Sequence, residues 1–307
     1  MRSFSDRIKS PIVRPDFPPD ELDDKHAMTR RAFMVGLGAA GLGVVTYAGT
    51  HARHELEITE RTFKIRNLPD AFQGFRIAQL SDIHLEEYTE PSFLETAVQR
   101  INALNPELVL LTGDFISRGP RSVDFSLKMA GVCAEILEGI KAAQRYGILG
   151  NHDAMVDPIK IPEILRAHGT PVLIDSHIPI ERGSDRFWLA GSQDPGVLGC
   201  DLDATIPVSP DAPVVFMCHE PDFVDTLVRH PRFPNVDLML SGHTHGGQIR
   251  LPVVGPLVLP AMGKKYVSGH FQFGGMQLYV NRGLGTVGLP LRLNCPAEIT
   301  HITLERA

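Results

Sequence analysis

The sequence predicts an α/β fold in which two β-sheets pack face to face and helices cover their outer sides. In the first half of the folded region, short apolar strands alternate with amphipathic helices in the order βαβαβ, which favours a sheet with a strong parallel component. The second half contains further strands with fewer helices between them, and two packed sheets would house this number of strands. The 307 residues suffice for one large domain and a short extra segment.

The spacing of the apolar residues predicts each element. Residues 55–66 alternate apolar and polar side chains, which is typical of a half-exposed strand. Residues 108–112 are an apolar run, as in a strand buried on both faces. Apolar side chains recur at helical spacing over residues 92–104 and 123–143. The other predicted elements are strands at 75–80, 145–149, 172–174, 187–190, 214–218, 236–240, 277–281 and 299–304 and a helix at 222–229.

The N-terminal region differs in composition from the rest of the chain. Residues 1–27 are rich in proline and charge, so they cannot bury enough apolar surface to fold and are predicted to be disordered. Within residues 28–52, Arg30 and Arg31 precede an uncharged apolar stretch shorter than the roughly 20 residues of a membrane span. This order describes an export signal, and the paired arginines resemble the twin-arginine type. An uncleaved membrane anchor stays open as the alternative, and in both cases residues 53–307 form the domain and lie outside the cytoplasm.

Charge and cysteine content exclude some classes of protein. The formal net charge is -6 and no long basic run follows the first segment, so the sequence does not indicate electrostatic binding of nucleic acid. None of the four cysteines forms the close pair of a CxxC metal or redox motif. Core thiols are the favoured interpretation, and disulfides remain possible in an exported protein.

Polar side chains follow directly after five of the predicted strands. Ligands of open α/β sheets bind beyond the carboxyl ends of the strands, so these side chains are expected to meet. They are Asp82 and His84, then Asp114, then Asn151, His152 and Asp153, then His219, and finally His243 and His245.

This mixture of carboxylates and imidazoles suits a pair of borderline divalent metal ions. In Asp-x-His and His-x-His, residues i and i+2 of an extended backbone face the same side and can reach one site. Gly113, Gly150 and Gly242 permit tight turns that bring the next side chain close to the ions. Each motif is weak by itself, whereas the ordered combination is specific.

The motifs Asp-x-His, Gly-Asp, Gly-Asn-His-Asp, an isolated His and Gly-His-x-His stand here in this order. Together they resemble the calcineurin-like metallophosphoesterase superfamily over about residues 73–304. The resemblance implies a four-layer α/β/β/α sandwich of two mixed sheets and a centre of two divalent ions, with Mn favoured over Zn, Fe or Mg. The implied ligands are Asp82, His84 and His245 for one ion, Asn151, His219 and His243 for the other, and Asp114 for both.

The resemblance also implies a reaction. A hydroxide between the two ions attacks the phosphorus, and His152 protonates the leaving oxygen or stabilises the transition state, with Asp114 as the other catalytic residue. One departure concerns Ser117, which stands where the protein Ser/Thr phosphatase branch has an aspartate that orients this histidine. Either Asp153 or another group supports His152, or that support is absent. Arg118 falls where that branch has a phosphate-binding arginine, so Arg118 and Asp153 are the candidate substrate-binding residues.

The substrate class rests on looser similarity. The segments Gly242–Gln248 and Asn281–Gly285, with the paired arginines, resemble exported or membrane-associated bacterial phosphodiesterases, some of which cleave UDP-diacylglucosamine in lipid A synthesis. The apolar segments 251–262 and 284–293, with Lys264, Lys265 and Arg282 nearby, are interpreted either as a lipid-facing rim with basic groups for phosphate or as ordinary core strands and loops.

The predicted function is therefore a phosphodiesterase acting on a lipid-linked or nucleotide-sugar phosphoester. An exported phosphomonoesterase is the alternative, and a non-catalytic scaffold on the same fold is a third. A metallo-β-lactamase-type hydrolase is excluded because its early His-x-His-x-Asp-His motif is missing. The expected partners are the substrate, the twin-arginine translocation machinery and a membrane surface. Export conflicts with a UDP-linked substrate, which is normally cytoplasmic.

Overall fold

The computed structural model describes residues 22–85 and 89–307. Most of the segment predicted to be disordered, residues 1–27, lies outside the described residues, as do residues 86–88. By its internal contacts the chain divides into Met1–Val45 and Thr46–Ala307.

The strands are β1 (Leu56–Ile65), β2 (Phe75–Leu80), β3 (Leu108–Leu111), β4 (Gln144–Gly147), β5 (Ser176–Arg182), β6 (Asp185–Gly191), β7 (Val214–Met217), β8 (Leu238–Ser241), β9 (Arg250–Leu251), β10 (Gly255–Pro256), β11 (Gly269–Phe273), β12 (Met276–Val280) and β13 (Ala297–Arg306). The α-helices are α1 (Leu22–Thr50), α2 (Pro91–Leu104), α3 (Val123–Leu137), α4 (Asn151–Val156), α5 (Lys160–Ala167), α6 (Leu202–Thr205) and α7 (Val224–Leu227).

Two mixed sheets form the centre of the domain. The first has five strands in the order β1-β13-β2-β3-β4, in which β2, β3 and β4 run parallel and β13 pairs antiparallel with β2. The second has six strands in the order β11-β12-β8-β7-β6-β5, in which β12, β8, β7 and β6 run parallel. Each group of parallel strands therefore presents its carboxyl ends at one edge of its sheet.

Side chains alternate between two apolar layers along these strands, as the pleat requires. In β3, Leu108 and Leu110 point into the core between the sheets, whereas Val109 and Leu111 point outward to α2 and α3. In β8, Leu238 and Leu240 belong to the same central core, and Met239 faces the opposite layer with α6 and α7. This arrangement confirms the predicted α/β/β/α class.

Several predicted boundaries are wrong for identifiable reasons. Helix α3 ends at Leu137 instead of residue 143, just before Gly139, a residue that disfavours helix. Residues 172–174 form only an isolated bridge with Gly147. Strand β5 was not predicted because Pro179 interrupts its pattern, and it lies at the edge of the second sheet, where proline is tolerated. The helix predicted over residues 222–229 consists of a 3-10 turn followed by the short α7.

Helix α1 is longer than the apolar stretch that predicted it. It continues without interruption over Leu22–Thr50, and the segment Thr29–His54 is long and apolar enough to cross a membrane, with a mean hydropathy of 1.6. Only 6% of its most apolar window is buried. A signal sequence has the same properties, so the short length predicted for this region no longer argues against an anchor.

The core between the sheets should be sensitive to truncation at Phe187, which is fully buried against Phe72 and Phe75. We expect Phe187→Ala to lower the free energy of unfolding by about 3–5 kcal/mol, because it removes apolar contact and leaves a cavity. Urea denaturation followed by circular dichroism measures this change. The control Val208→Ala, at an exposed valine, should alter it by less than about 0.5 kcal/mol. A loss below about 1 kcal/mol for Phe187→Ala would contradict the central layer.

Candidate metal centre

The carboxyl ends of strands from both sheets meet at one site. Strands β2, β3 and β4 of the first sheet lead directly into the predicted residues, and β7 and β8 of the second sheet do the same. The side chains brought together there are Asp82, His84, Asp114, Asn151, His152, His219, His243 and His245. The first sheet thus supplies one side of the centre, and the second sheet supplies the opposite side.

The backbone turns sharply at the candidate ligands. Left-handed conformations are uncommon for residues other than glycine, although Asp and His tolerate them better than branched residues do. Each such residue costs on the order of 1–3 kcal/mol and persists only where the surroundings enforce it. The candidate ligands with positive φ are Asp82 (50°), His84 (48°), Asp114 (56°), His243 (73°) and His245 (51°). This clustering of strain marks the site as functional.

Two glycines allow the loops to approach these carboxylates. A Cβ atom on Gly150 would lie 2.2 Å from Asp114 Oδ1, and one on Gly242 would lie 2.3 Å from Asp82 Oδ2. Real Cβ atoms do not approach so closely, so any side chain at either position would displace a candidate ligand. The tight turns predicted from Gly-Asn and Gly-His are therefore required by close approach.

Asp82, His84 and His245 form a first group of candidate ligands. The Nε2 atoms of His84 and His245 lie 3.0 Å apart, and His245 Nε2 lies 3.4 Å from Asp82 Oδ1. His245 Nδ1 lies 3.3 Å from the carbonyl oxygen of Gly285, which only accepts, so Nδ1 carries the proton and Nε2 carries a lone pair. Burial lowers the pKa of His84 to about 3 and that of His245 well below its usual value, so both rings are neutral.

Ser117 determines how His84 presents its ring. Its hydroxyl oxygen lies 2.9 Å from His84 Nδ1 and accepts from it in the tautomer that leaves a lone pair on Nε2. Outer partners of this kind orient metal-binding imidazoles and raise their basicity. The serine that departs from the phosphatase pattern therefore contacts His84 instead of His152.

Asp114, His219 and His243 form a second group, which Asn151 completes. The Thr112 carbonyl accepts from His219 Nδ1 at 2.7 Å and the Ala261 carbonyl accepts from His243 Nε2 at 2.7 Å. In the neutral form of each ring, the unprotonated atoms are therefore His219 Nε2 and His243 Nδ1. They face oxygens, at 3.2 Å for Asp114 Oδ2 and 2.9 Å for Asn151 Oδ1. Burial lowers the pKa of His243 to about 4, which keeps its ring neutral.

Asp114 lies between the two groups. Its Oδ2 is 3.2 Å from His219 Nε2 and 3.5 Å from His84 Nε2, while its Oδ1 accepts from the His152 backbone N–H. Although burial opposes ionisation, the facing His219 holds the pKa of Asp114 well below its usual value. Burial raises the pKa of Asp82 to about 6. Two buried carboxylates and several lone pairs thus converge on one space.

This donor set fits divalent cations. Lone pairs and carboxylate oxygens that face one another repel unless positive charge lies between them, and His219 Nε2 is buried without a hydrogen-bond partner in the described residues. Burial lowers the pKa of His219, but the carboxylate of Asp114 outweighs burial and raises it well above its usual value. Mixed imidazole and carboxylate donors suit zinc, iron and manganese.

His152 is held by the backbone next to Arg118. It is half-buried at the site, and its Nδ1 accepts from the Arg118 N–H at 2.9 Å. The proton of the neutral ring is therefore on Nε2. The support for His152 that the sequence left open comes from this peptide group. The Arg118 side chain is exposed, and its contact with a substrate stays a prediction.

The placement of Asp153 does not fit its predicted substrate contact. Its side chain is fully buried, and its carboxylate accepts from the backbone N–H groups of Phe115, Ile116 and Gly150 at 3.0 to 3.2 Å. It therefore joins the loop after β3 to the loop after β4 and positions Asp114. The correction follows from burial, which spacing along the chain does not reveal.

Two of the three basic side chains expected near the site are engaged elsewhere. The Lys265 ammonium pairs with Asp225, and the Arg282 guanidinium bonds to Glu298 and Glu57. The backbone N–H of Lys264 donates to Asp222. None of these three lines the cavity at the centre.

The cavity at the centre has an apolar wall. It encloses about 410 Å³, and its floor includes Asp114, Asn151 and His152. The two apolar segments noted in the sequence supply Leu257, Val258, Val287 and Leu289 to this wall, and Ile249 lies just before the first segment. Parts of these segments therefore lie beside the site, but without the basic groups predicted with them, and their lipid-facing role stays a prediction.

A metal-dependent hydrolase is the class that this fold and donor set define. The model of the calcineurin-like phosphoesterase family matches residues 75–247, and the chain belongs to this family. It is therefore a metal-dependent phosphoester hydrolase, as the sequence predicts.

Three relatives show how far the similarity extends. The metallophosphoesterase YkuE of Bacillus subtilis is 35% identical over 91% of this chain and 98% of its own length. Phosphodiesterase YaeI of Escherichia coli is 32% identical over 75% of this chain and 82% of its own. A transmembrane protein with a metallophosphoesterase domain from Danio rerio is 29% identical over 86% of this chain and 61% of its own.

Removing the Ser117 hydroxyl should weaken metal binding without unfolding the protein. We expect Ser117→Ala to lower the Mn²⁺ affinity of the stripped protein about 10–100-fold, because the tautomer and orientation of His84 are no longer held. Competition with a fluorescent chelator measures the affinity. The matched control is Ser126→Ala, a neighbouring buried serine whose hydroxyl donates only to the Ser117 carbonyl. Equal affinities in both variants would contradict the role of Ser117.

Proposed function

We propose that this chain is a dinuclear-metal phosphodiesterase whose substrate carries an apolar, lipid-type group beside the phosphoester. The carrying observation is the cavity of about 410 Å³, which has the candidate ligands at its floor and exposed aliphatic side chains along its wall. A phosphoester at the floor would place its second substituent against this wall. A nucleotide sugar bearing acyl chains belongs to the same class of substrate.

The donor geometry supports the ligand assignment. Asp82, His84 and His245 would hold one ion, Asn151, His219 and His243 would hold the other, and Asp114 would contact both. When bound, two such ions neutralise charge on a phosphoryl group and lower the pKa of water.

His152 is placed to stabilise the leaving oxygen. The Arg118 N–H donates to its Nδ1, so Nε2 carries the N–H that can donate a hydrogen bond. His152 also has a ring nitrogen within 4.8 Å of donor atoms of His84 and Asp114. A hydrogen bond from this Nε2–H would stabilise negative charge on the leaving oxygen, and cleavage needs no covalent bond to the protein.

The charge of the cavity favours diesters over monoesters. A phosphomonoester carries close to two negative charges at neutral pH and a diester carries one. Among the described residues that line the cavity, none is a lysine or an arginine. A dianion would depend on the ions and on the exposed Arg118 to neutralise its charge, whereas a monoanion needs less positive charge.

The N-terminal region supports action outside the cytoplasm. Arg30 and Arg31 begin the long apolar part of α1, as a twin-arginine signal or an anchor would require. The Danio rerio relative bears a transmembrane name, which is consistent with a membrane-anchored form.

The preference between the two ester classes tests the proposal. The full chain in detergent is stripped of metal, reloaded with Mn²⁺ and assayed with bis(p-nitrophenyl) phosphate and p-nitrophenyl phosphate. We expect metal-dependent hydrolysis with the higher kcat/KM for the diester, and loss of turnover with EDTA. A preference for the monoester would identify an exported phosphomonoesterase, and metal-independent or absent turnover of both would overturn the proposal.

Substitutions separate metal binding from stabilisation of the leaving oxygen by His152. Asp114→Asn should abolish turnover and reduce the bound Mn²⁺, because Asp114 contacts both groups. His152→Ala should retain the bound Mn²⁺ and lower kcat about 10²–10⁴-fold. Metal content by mass spectrometry and diester kinetics measure both effects. His168→Ala, which removes a ring paired with Glu138 away from the site, is the control and should match the unmodified chain. Near-normal turnover of His152→Ala would contradict its role.

A further inference from the structure

The rim of the cavity exposes a concentrated set of large aliphatic side chains. We define the apolar rim as Val253, Val254, Leu257, Val258 and Leu289, which are 108%, 69%, 52%, 79% and 55% exposed. Four of them belong to the hairpin of β9 and β10 and the residues just after it. Single exposed aliphatic residues are ordinary, whereas such a cluster marks an interaction site.

The tip of this hairpin holds a valine where the fold gives no reason for one. Val253 has a φ of 68°, and the N–H of Val254 donates to the Pro252 carbonyl at 2.8 Å. This is a γ-turn of the rare, strained kind, in which glycine would cost less than a β-branched residue. The side chain is fully exposed, so packing within the domain does not offset the strain of this turn.

Leu289 of the rim is fixed to the hairpin by polar contacts. Gln248 Nε2 donates to the carbonyls of Val287 and Leu289 at 3.2 and 3.0 Å, and Gln248 Oε1 accepts from the Val287 N–H. The Leu257 N–H donates to the Ile249 carbonyl and closes the hairpin. Both parts of the rim therefore lie together beside the cavity, which Leu257, Val258 and Leu289 line and which Val253 and Val254 do not.

The last turn of α1 joins the domain beside this wall. The Ala48 carbonyl accepts from the Arg292 N–H at 3.1 Å, and Ala48 is buried. A Cβ on Gly49 would lie 3.1 Å from Leu291. The segment that follows Leu289 is thus in contact with the end of a helix whose length and composition suit a membrane. We take a bilayer as the apolar partner of the rim, because the chain itself carries a segment long and apolar enough to cross one.

We propose that the apolar rim inserts into the surface of a lipid bilayer, so that the cavity takes its phosphodiester directly from the membrane. The valines at the hairpin tip would enter the acyl region, and Leu257, Val258 and Leu289 would line the path from the bilayer to the metal centre. Delivery of the substrate rests on the proposed function, whereas insertion of the rim does not.

Depth measurement tests insertion. A nitroxide is attached at Val254→Cys in a Cys200→Ser background, since the other cysteines are buried. The full chain is reconstituted in vesicles of phosphatidylcholine and phosphatidylglycerol. The matched control is Val208→Cys, an equally exposed valine (71%) before the amino end of β7, opposite to the site. We expect the label at 254 to be accessible to oxygen and shielded from a water-soluble nickel chelate, and the label at 208 to show the reverse.

Two results would overturn insertion. One is a label at position 254 as accessible to the nickel chelate as the label at position 208. The other is a label at position 254 already shielded from both reagents in detergent at concentrations where the chain self-associates, which would assign the rim to contact between two copies.

Kinetics test delivery. The double variant Val253→Ser, Val254→Ser should hydrolyse a p-nitrophenyl diester of phosphatidic acid in these vesicles about tenfold more slowly or worse, because two apolar side chains no longer enter the bilayer. Its rate on soluble bis(p-nitrophenyl) phosphate should be unchanged, and Val208→Ser should change neither rate. An unchanged vesicle rate, or equal losses on both substrates, would contradict delivery. If the unmodified chain hydrolyses neither diester, the proposed function fails while the depth measurement still decides insertion.

Discussion

The buried carboxylate of Asp114 is the constraint on which the rest of the site depends. It lies 3.2 Å from a nitrogen of His219 and 3.5 Å from one of His84, two residues that follow strands of different sheets. A carboxylate without exposure needs positive charge nearby, and neutral imidazoles cannot supply it. The proposed pair of cations would meet this need and would also relieve the repulsion between the facing lone pairs of the surrounding rings. The carboxylate of Asp114 also raises the pKa of the facing His219 well above its usual value.

The fold contributes rigidity to a strained arrangement. Left-handed backbone at Asp82, Asp114 and His243 would relax in a mobile loop, but each of these residues directly follows the last residues of a buried parallel strand. Further contacts hold the loops against one another. Asp153 joins two of them through backbone N–H groups, and the fully buried Arg292 donates to the carbonyls of Arg282, Gly283 and Gly285. Buried side chains outside the ligand set therefore maintain the distances within it.

Much of the fold and of the candidate site was predictable from the sequence. Apolar runs followed at once by Asp, Asn or His indicate where strands end and which donor atoms lie there. The features that were not predicted depend on which residues meet in the folded structure. Spacing does not show that Asp153 points into the protein, that Ser117 reaches His84, or that Arg282 is bonded to Glu298. Strand β5 was hidden by Pro179, which only an edge position permits. The sequence showed that the residues of the apolar rim are apolar, but only the folded structure shows that they are exposed beside the cavity.

The central claim is that strand ends of two sheets hold two metal ions with Asp114 between them. The most direct measurement is a crystal structure of the Mn²⁺-loaded chain with anomalous diffraction data. The account predicts two anomalous peaks, one beside Asp82, His84 and His245 and the other beside Asn151, His219 and His243, both in contact with the Asp114 carboxylate. A single peak, or two peaks of which one does not contact Asp114, would contradict it.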